Sequence, residues 1–390
     1  MAKRPAGRAR PTPRRGTRRG APAAPAFGST GTVLTVDLRA IAANYRALKA
    51  RARPAQCAAV VKADAYGVGM VEVAPALAAA GCTDFFVAHL DEGIALRKLL
   101  PKATIYVLNG ALAGAEPELR RHKLRPVLNH LAALDRWARL GRKSRPLPAA
   151  LHVDSGMSRL GLDDAELATL MDTPKRLDGV ELALVMSHLA CSEQPDHPLN
   201  AEQRARFGAA LARLPKAPAS LANSSGVFLG PDFRFDMVRP GAALYGVNPV
   251  PGQPNPMKPV VRLQARILQV RRIDSPRTVG YGATHRAARP STIATIALGY
   301  ADGYLRSLGN RGSCLIGEHR VPVVGRISMD LVTLDVTDVP GGLAAAGAVV
   351  DVISPAHPVD AVAEEAGTIG YEILTSLGRR YQRRYLGASA

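Results

Sequence analysis

Two textures of hydrophobic and polar positions divide the chain. From residue 33 to about 246, short apolar runs rich in β-branched residues alternate with longer Ala/Leu/Arg segments whose apolar positions recur every three or four residues. The first kind predicts buried strands and the second amphipathic helices. Eight runs stand out, at 57–62, 83–88, 103–108, 124–128, 148–153, 180–187, 218–222 and 234–238, with helical spacing over 71–80, 91–100, 131–140 and 201–214 between them and a short last gap. Eight βα units in about 200 residues suggest a closed parallel barrel; an open doubly wound sheet is the alternative that periodicity does not exclude. After Gly246, Pro-rich turns and Val/Ile/Thr-rich stretches take over (261–273, 291–298, 313–336, 347–353), with little helical spacing until 361–377. The pattern predicts an α/β chain: a (βα)8 TIM-type barrel over 33–246, a mostly β domain over 247–386, and a separate segment 1–30.

Composition bears on partners and location. A chain of 390 residues, 47% hydrophobic and 21% charged, is neither disordered throughout nor a short disulfide scaffold. No stretch reaches the roughly 18 to 20 uninterrupted apolar residues of a membrane span, so no membrane partner is expected. Cys57, Cys82, Cys191 and Cys314 are widely spaced with no CxxC pair, which fits reduced thiols in a cytoplasm. The net charge of +19 is partly local: residues 1–20 hold Lys3, Arg4, Arg8, Arg10, Arg14, Arg15, Arg18 and Arg19 and no acid, leaving 43 basic against 32 acidic residues in the remainder. Pro, Gly and Ala fill the gaps, so 1–30 is expected to be a disordered basic tail. Its apolar stretch 21–27 is too short, and too interrupted by Pro22 and Pro25, for an export signal. Nucleic-acid contact by the tail is a rival reading; eight cations on phosphates would bind with strong salt dependence.

In a parallel barrel, chemistry sits past the C-terminal ends of the strands. Lys62, His89, Asn109, Asp154, His188, Asn223 with Ser224, and Arg239 occupy those positions after strands one, two, three, five, six, seven and eight. Lys62 directly follows the apolar run 58–61. Desolvated there, its amine would have a lowered pKa and could form a Schiff base with an aldehyde; the alternative is a strand-end lysine snorkelling to water. His188, Cys191, Glu193, Asp196 and His197 resemble a metal-ligand cluster, but Pro195 and Pro198 break the helix that regular ligand spacing would need, and no metal is expected.

Nine blocks in order then resemble the alanine racemases: AVVKADAYGVG (59–69), LHVDSGMSRLG (151–161), MSHLA (186–190), LANSSG (221–226), VRPGAALYG (238–246), VGYGAT (279–284), ALGYADG (297–303), VVGRISMD (323–330) and TIGYEILTSLGRRYQRRY (368–385). The resemblance implies a barrel followed by a β domain, with the strand near 33–36 joining the latter, pyridoxal 5'-phosphate as cofactor, and a homodimer with shared active sites. It implies that Lys62 holds the cofactor as an aldimine and serves as base on one face, and that Tyr281, from the second subunit, serves on the other. Racemisation needs two such groups flanking one carbon. By the same resemblance His188 neighbours the cofactor ring and Arg239 faces the pyridine nitrogen, which an arginine cannot protonate. Tyr66, Ser224 and Tyr371 supply hydroxyls, and Gly241 and Ala242 backbone amides, to the phosphate. Arg159 and the partner's Met329 N–H meet the substrate carboxylate. Tyr300 and Tyr371 are the gate tyrosines that restrict the cavity to small side chains.

Four positions depart from the family pattern. His152 stands where many members carry a carbamylated lysine that steers the arginine matched by Arg159. Ser220 replaces a histidine that supports the arginine matched by Arg239, Ser328 replaces a cysteine, and Val68 replaces a histidine. The activity expected is interconversion of L- and D-alanine by a two-base mechanism, supplying D-alanine for peptidoglycan. The alternative is a broad-specificity or other amino-acid racemase of the same fold; the YGAT and GYADG blocks disfavour a decarboxylase.

Overall fold

The computed structural model describes residues 29–387. The basic run 1–20, nearly all of the 1–30 tail, and 388–390 lie outside the described residues. Seven strands pair in parallel in chain order: Ala59–Val60, Asp84–Val87, Thr104–Val107, Arg125–Leu128, Leu147–His152, Val180–Met186 and Ala219–Ser220. The eighth, Met237–Val238, pairs in parallel with Gln56–Cys57, the first half of strand one. Backbone N–H groups of Gln56, Ala58 and Val60 donate to the carbonyls of Asp236, Val238 and Pro240, and those of Asp236 and Arg239 donate to Ala219 and Ala222. These bonds close the barrel and exclude the open sheet, whose two edges would be unpaired.

Run 57–62 is not one strand. It comprises Gln56–Cys57 and Ala59–Val60, and the chain leaves the extended conformation at Val61, one residue before Lys62. The expected helices are Met70–Ala79, Leu90–Leu99, Leu131–Leu140 and Pro198–Arg213. The short last gap holds two 3-10 turns, Gly226–Phe228 and Pro231–Phe233. A further helix, Leu38–Ala52, precedes the first run. Asp37 caps it, accepting the N–H groups of Arg39 and Ala40 at 2.8 and 3.1 Å. Its buried Leu38, Ile41, Tyr45, Leu48 and Ala52 recur at helical spacing, and each large side chain there stabilises the fold by roughly 1.5–3 kcal/mol.

Strand Thr32–Asp37 leaves the barrel altogether. It pairs antiparallel with Val261–Ile273 and parallel with Gln382–Leu386, so strands from both ends of the described chain lie side by side. Val261–Ile273 also pairs with Ser291–Ile296 and Val349–Ile353. The stretch 313–336 divides into Ser313–Ile316, His319–Pro322 and Val332–Asp335, because Gly317 and Glu318 turn the chain back on itself. Helices Val359–Ala366 and Gly370–Ser376 follow, and the second packs against the segment after Lys62. Leu34, Val61, Phe86, Leu244 and Leu374, drawn from both parts, are fully buried in one continuous core. Among the described residues no helix is long and apolar enough to cross a membrane.

Candidate active site

A cavity of about 720 Å³ opens at the C-terminal ends of the barrel strands, roofed by helix Gly370–Ser376. Of the strand-end polar residues, Lys62, Asn109, His188, Asn223, Ser224 and Arg239 line it. His89 and Asp154 do not. His89 precedes helix Leu90–Leu99, and Asp154 Oδ1 accepts the N–H groups of Gly156, Met157 and Ser158 within its own loop.

Lys62 begins a turn that L-residues rarely make. Ala63, Asp64, Ala65 and Tyr66 have φ of 53, 53, 54 and 57°, a left-handed turn without glycine that costs roughly 1–2 kcal/mol per residue. External contacts must sustain it. At its start the Glu92 carboxylate accepts the N–H groups of Ala63, Ala88 and His89 at 2.6, 2.7 and 3.1 Å. At its end Gly67 has φ 81°, and a Cβ there would lie 2.2 Å from the Leu374 carbonyl oxygen, so only glycine fits. Burial lowers the pKa of the Lys62 ammonium, and Arg159 lowers it further, against a smaller opposing pull from Glu92. The amine is thereby drawn toward its nucleophilic, neutral form.

Tyr66 packs on Tyr245 with ring centroids 4.9 Å apart, and the Tyr245 hydroxyl donates to the Val60 carbonyl at 2.9 Å. Burial pushes the Tyr66 hydroxyl up, so it stays a donor. It lies so near the backbone of Gly241 that a Cβ would come within 2.3 Å of its oxygen. Ser224 Oγ accepts the N–H groups of Gly241 at 2.9 Å and Ala243 at 3.2 Å, so the Gly241 amide is turned to Ser224. Gly241 and Ala242 both line the cavity.

Arg239 is 4% exposed and meets only neutral acceptors. It donates to Ser187 O at 2.6 Å, to Ser220 Oγ, and to Leu221 O and His188 Nδ1, each at 3.4 Å. Ser220 in turn donates to Met237 O at 2.6 Å, so the serine that replaces the family's histidine supports the guanidinium directly. Burial pulls Arg239 down to about 9, which leaves it charged at neutral pH. Since Arg239 can only donate, His188 Nδ1 must accept and its proton sits on Nε2. Burial and then Arg239 hold His188 well below its ordinary value. His152 Nδ1 lies 2.8 Å from Asn129 Oδ1, whose amide is fixed by donation to Leu108 O at 3.0 Å. Burial, then Arg239, hold His152 down at about 4, so it is a neutral ring. Arg159 is exposed and makes no hydrogen bond or ion pair among the described residues. Three basic side chains, Lys62, Arg159 and Arg239, line one cavity whose one lining carboxylate, Glu372, lies exposed on the roofing helix.

Tyr371 also lines the cavity, its ring 6.1 Å from that of Tyr66 and its hydroxyl donating to Glu193 Oε1 at 3.0 Å. Burial and the Glu193 charge raise its pKa. Tyr281, Tyr300 and Met329 line no part of this cavity; they are 70, 42 and 54% exposed on the β part, with Tyr300 N–H donating to Ser328 O and Ala301 N–H to Met329 O. One chain thus does not bring Lys62 and Tyr281 together. The metal-like cluster is dispersed: Glu193 serves Tyr371, and His197 Nδ1 accepts the Leu199 N–H at the start of helix Pro198–Arg213. Among the described residues no three His, Cys, Asp or Glu are grouped as metal ligands. Sequence reasoning missed Glu92, which caps its own helix start and also accepts from Ala63 on another loop, and saw Glu193 only as part of that cluster.

The chain matches the model "Alanine racemase, N-terminal domain" over residues 36–249 and "Alanine racemase, C-terminal domain" over 260–385. It is 58% identical to an alanine racemase of Rhodospirillum rubrum, across 91% of this chain and 96% of that one. An alanine racemase of Acidiphilium cryptum is 56% identical, across 90% and 97%. Among solved structures, alanine racemase from Bartonella henselae with covalently bound pyridoxal phosphate superposes with a TM-score of 0.89 at 44% identity, across 92% of this chain and all of that one. This protein belongs to the alanine racemase family.

Proposed function

We propose that the chain racemises alanine in this cavity, with pyridoxal phosphate held through Lys62 and each site completed by a second copy of the chain. The observation that carries the reading is the meeting of a desolvated Lys62 amine and a buried Arg239 guanidinium in a cavity that also holds hydroxyls of Tyr66, Ser224 and Tyr371. That donor set fits a phosphorylated pyridine aldehyde: an amine for the aldehyde, hydroxyls for the phosphate, and a cation for the ring nitrogen, with Ala242 and Gly241 beside the phosphate hydroxyls. When bound, the cofactor would supply an electron sink for the substrate's Cα.

The chain's own residues do the rest. Lys62 takes or gives a proton at Cα from one face, and the partner subunit's Tyr281 does so from the other. Arg159, free of other partners, pairs with the substrate carboxylate, joined by the backbone N–H of the partner subunit's Met329. The exposure of Tyr281, Tyr300 and Met329 supports their use by a second copy. Tyr371, with Tyr300, narrows the entrance to small side chains. His188 and His152 stay neutral, so they neither compete for the carboxylate nor need a counter-ion. On this reading the barrel 33–246 carries the cofactor and the β domain 247–386 lends its exposed face to the partner. Four free cysteines, three of them buried, fit a reducing cytoplasm, where the product would serve peptidoglycan synthesis.

Three outcomes follow. The purified protein is expected to be yellow, with borohydride fixing the cofactor to Lys62 as read by peptide mass; a protein that stays colourless with added pyridoxal phosphate contradicts the assignment. Tyr281→Phe should retain cofactor and lose roughly 10²- to 10⁴-fold in activity. Mixed with Lys62→Ala under subunit exchange, it should recover about a quarter of wild-type activity per site, since about half the dimers would carry one intact site; exchange proven by mass with no recovery places both bases in one chain.

A further outcome concerns pH. His152 titrates at about 4 when folded against an ordinary 6.5, so between those values the unfolded chain takes up a proton that the folded chain refuses. The stability is whole above pH 6.5 and is lost as pH falls toward 4. From pH 7 to 5, unfolding free energy in urea should fall on the order of 2 kcal/mol more in wild type than in His152→Gln. Equal falls would show that His152 is not held neutral.

A further inference from the structure

The left-handed turn after Lys62 is gripped from outside the barrel. Strand Gln382–Leu386 runs parallel to Thr32–Asp37 in the β part, and residues two apart on a strand share a face. Arg383 and Tyr385 therefore point the same way, toward the segment that closes the turn. Arg383 Nη1 donates to the Gly67 carbonyl at 2.8 Å, and the Tyr385 hydroxyl donates to the next carbonyl, Val68, at 3.0 Å. The other arm of the guanidinium, Nη2, donates to Gly378 O at 2.9 Å and Leu377 O at 3.4 Å. Those two carbonyls end helix Gly370–Ser376, which carries Tyr371.

A single half-buried guanidinium thus spans two elements that face the cavity from different parts of the fold. Its planar fork suits this bridge, and a lysine ammonium on one stem would not reach both sides at once. The turn's backbone lies in a region that alanine, aspartate and tyrosine leave when released. Glu92 holds its start, and the end has Gly67 N–H bonded to Ala63 O at 2.8 Å, so a shift of Gly67 is passed back toward Lys62.

We infer that Arg383, assisted by Tyr385, is a positioning residue that sets Lys62 and Tyr66 against Tyr371 without itself reaching the cavity. This rests on the reading of Lys62 as the cofactor's lysine. Loss of the clasp should slow Lys62 more than it unfolds the protein.

The test measures capture of added pyridoxal phosphate by cofactor-depleted full-length protein, trapped with borohydride and read as mass on the Lys62 peptide. Far-UV circular dichroism at the assay temperature confirms folding. Arg383→Met is expected to slow capture about tenfold, and kcat for alanine similarly with little change in KM, because small displacements of a reacting group are costly. Arg383→Lys should recover part of the rate. Arg384→Met, the same loss of charge on the strand's other face, should match wild type. Should Arg383→Met fail to fold, Tyr385→Phe decides, with capture about threefold slower supporting the clasp. Capture within twofold of wild type in the folded Arg383 and Tyr385 variants overturns it. If wild-type protein traps the cofactor on a residue other than Lys62, the site reading falls and the clasp with it, whatever the variants do.

Discussion

A guanidinium buried without a carboxylate is the constraint around which the barrel mouth is arranged. Removing a cation from water costs several kcal/mol. At Arg239 the return comes from hydrogen bonds to Ser187 O, Ser220 Oγ, Leu221 O and His188 Nδ1, each bond to a charged group contributing about 1.5–3 kcal/mol. These acceptors sit at the ends of strands six and seven, so the charge ties strand eight to its neighbours where the barrel closes. Because every acceptor is neutral, the charge is not cancelled. Burial and then this charge keep protons off His188 and His152, and with Arg159 it leaves the cavity positive, suited to a ligand that brings phosphate and carboxylate.

A positive cavity would bind many anions; on the proposed reading the chemistry comes from how Lys62 is delivered. The strand ends early at Val61, and the left-handed turn places Lys62 and Tyr66 on one cavity within five residues. Besides the turn's own hydrogen bonds, Glu92 at its start and Arg383 and Tyr385 at its end bond to its backbone. Strain beside the Lys62 amine is thus met by contacts from the second barrel loop and from the far end of the chain. The β part contributes in two ways: its last strand bonds to the segment after the turn, and its exposed Tyr281 and Met329 line no part of the cavity of their own chain.

The barrel was legible because parallel strands buried on both faces are continuous apolar runs, and because loops past their ends carry the polar residues. Lys62 and Arg239 could be found that way, and the blocks around them carried the family resemblance. His89 and Asp154 occupied equivalent positions and proved to belong to a helix start and a loop turn, a distinction that local pattern does not hold. Helix Leu38–Ala52 carries helical spacing of its own, but it lies before the first barrel run, between a strand that leaves for the β sheet and one that enters the barrel, and so falls outside the alternating units. Glu92 reads locally as the cap of its own helix start and Arg383 as an ordinary strand charge; the contacts that matter for the turn, to Ala63 and Gly67, lie 29 and 316 residues away and carry no local signature. The pairing of Lys62 with Tyr281 came from resemblance alone, since one chain keeps them apart.

On the proposed reading the pyridine nitrogen faces Arg239, and its charge state can be read by nitrogen-15 NMR of the full-length protein loaded with ring-labelled pyridoxal phosphate. A guanidinium that stays charged and has no proton to give should leave the pyridine nitrogen unprotonated across neutral pH, and Arg239→Glu should move its resonance toward the pyridinium position. A pyridinium resonance in the wild-type protein at neutral pH would contradict the central role of Arg239 in the cavity.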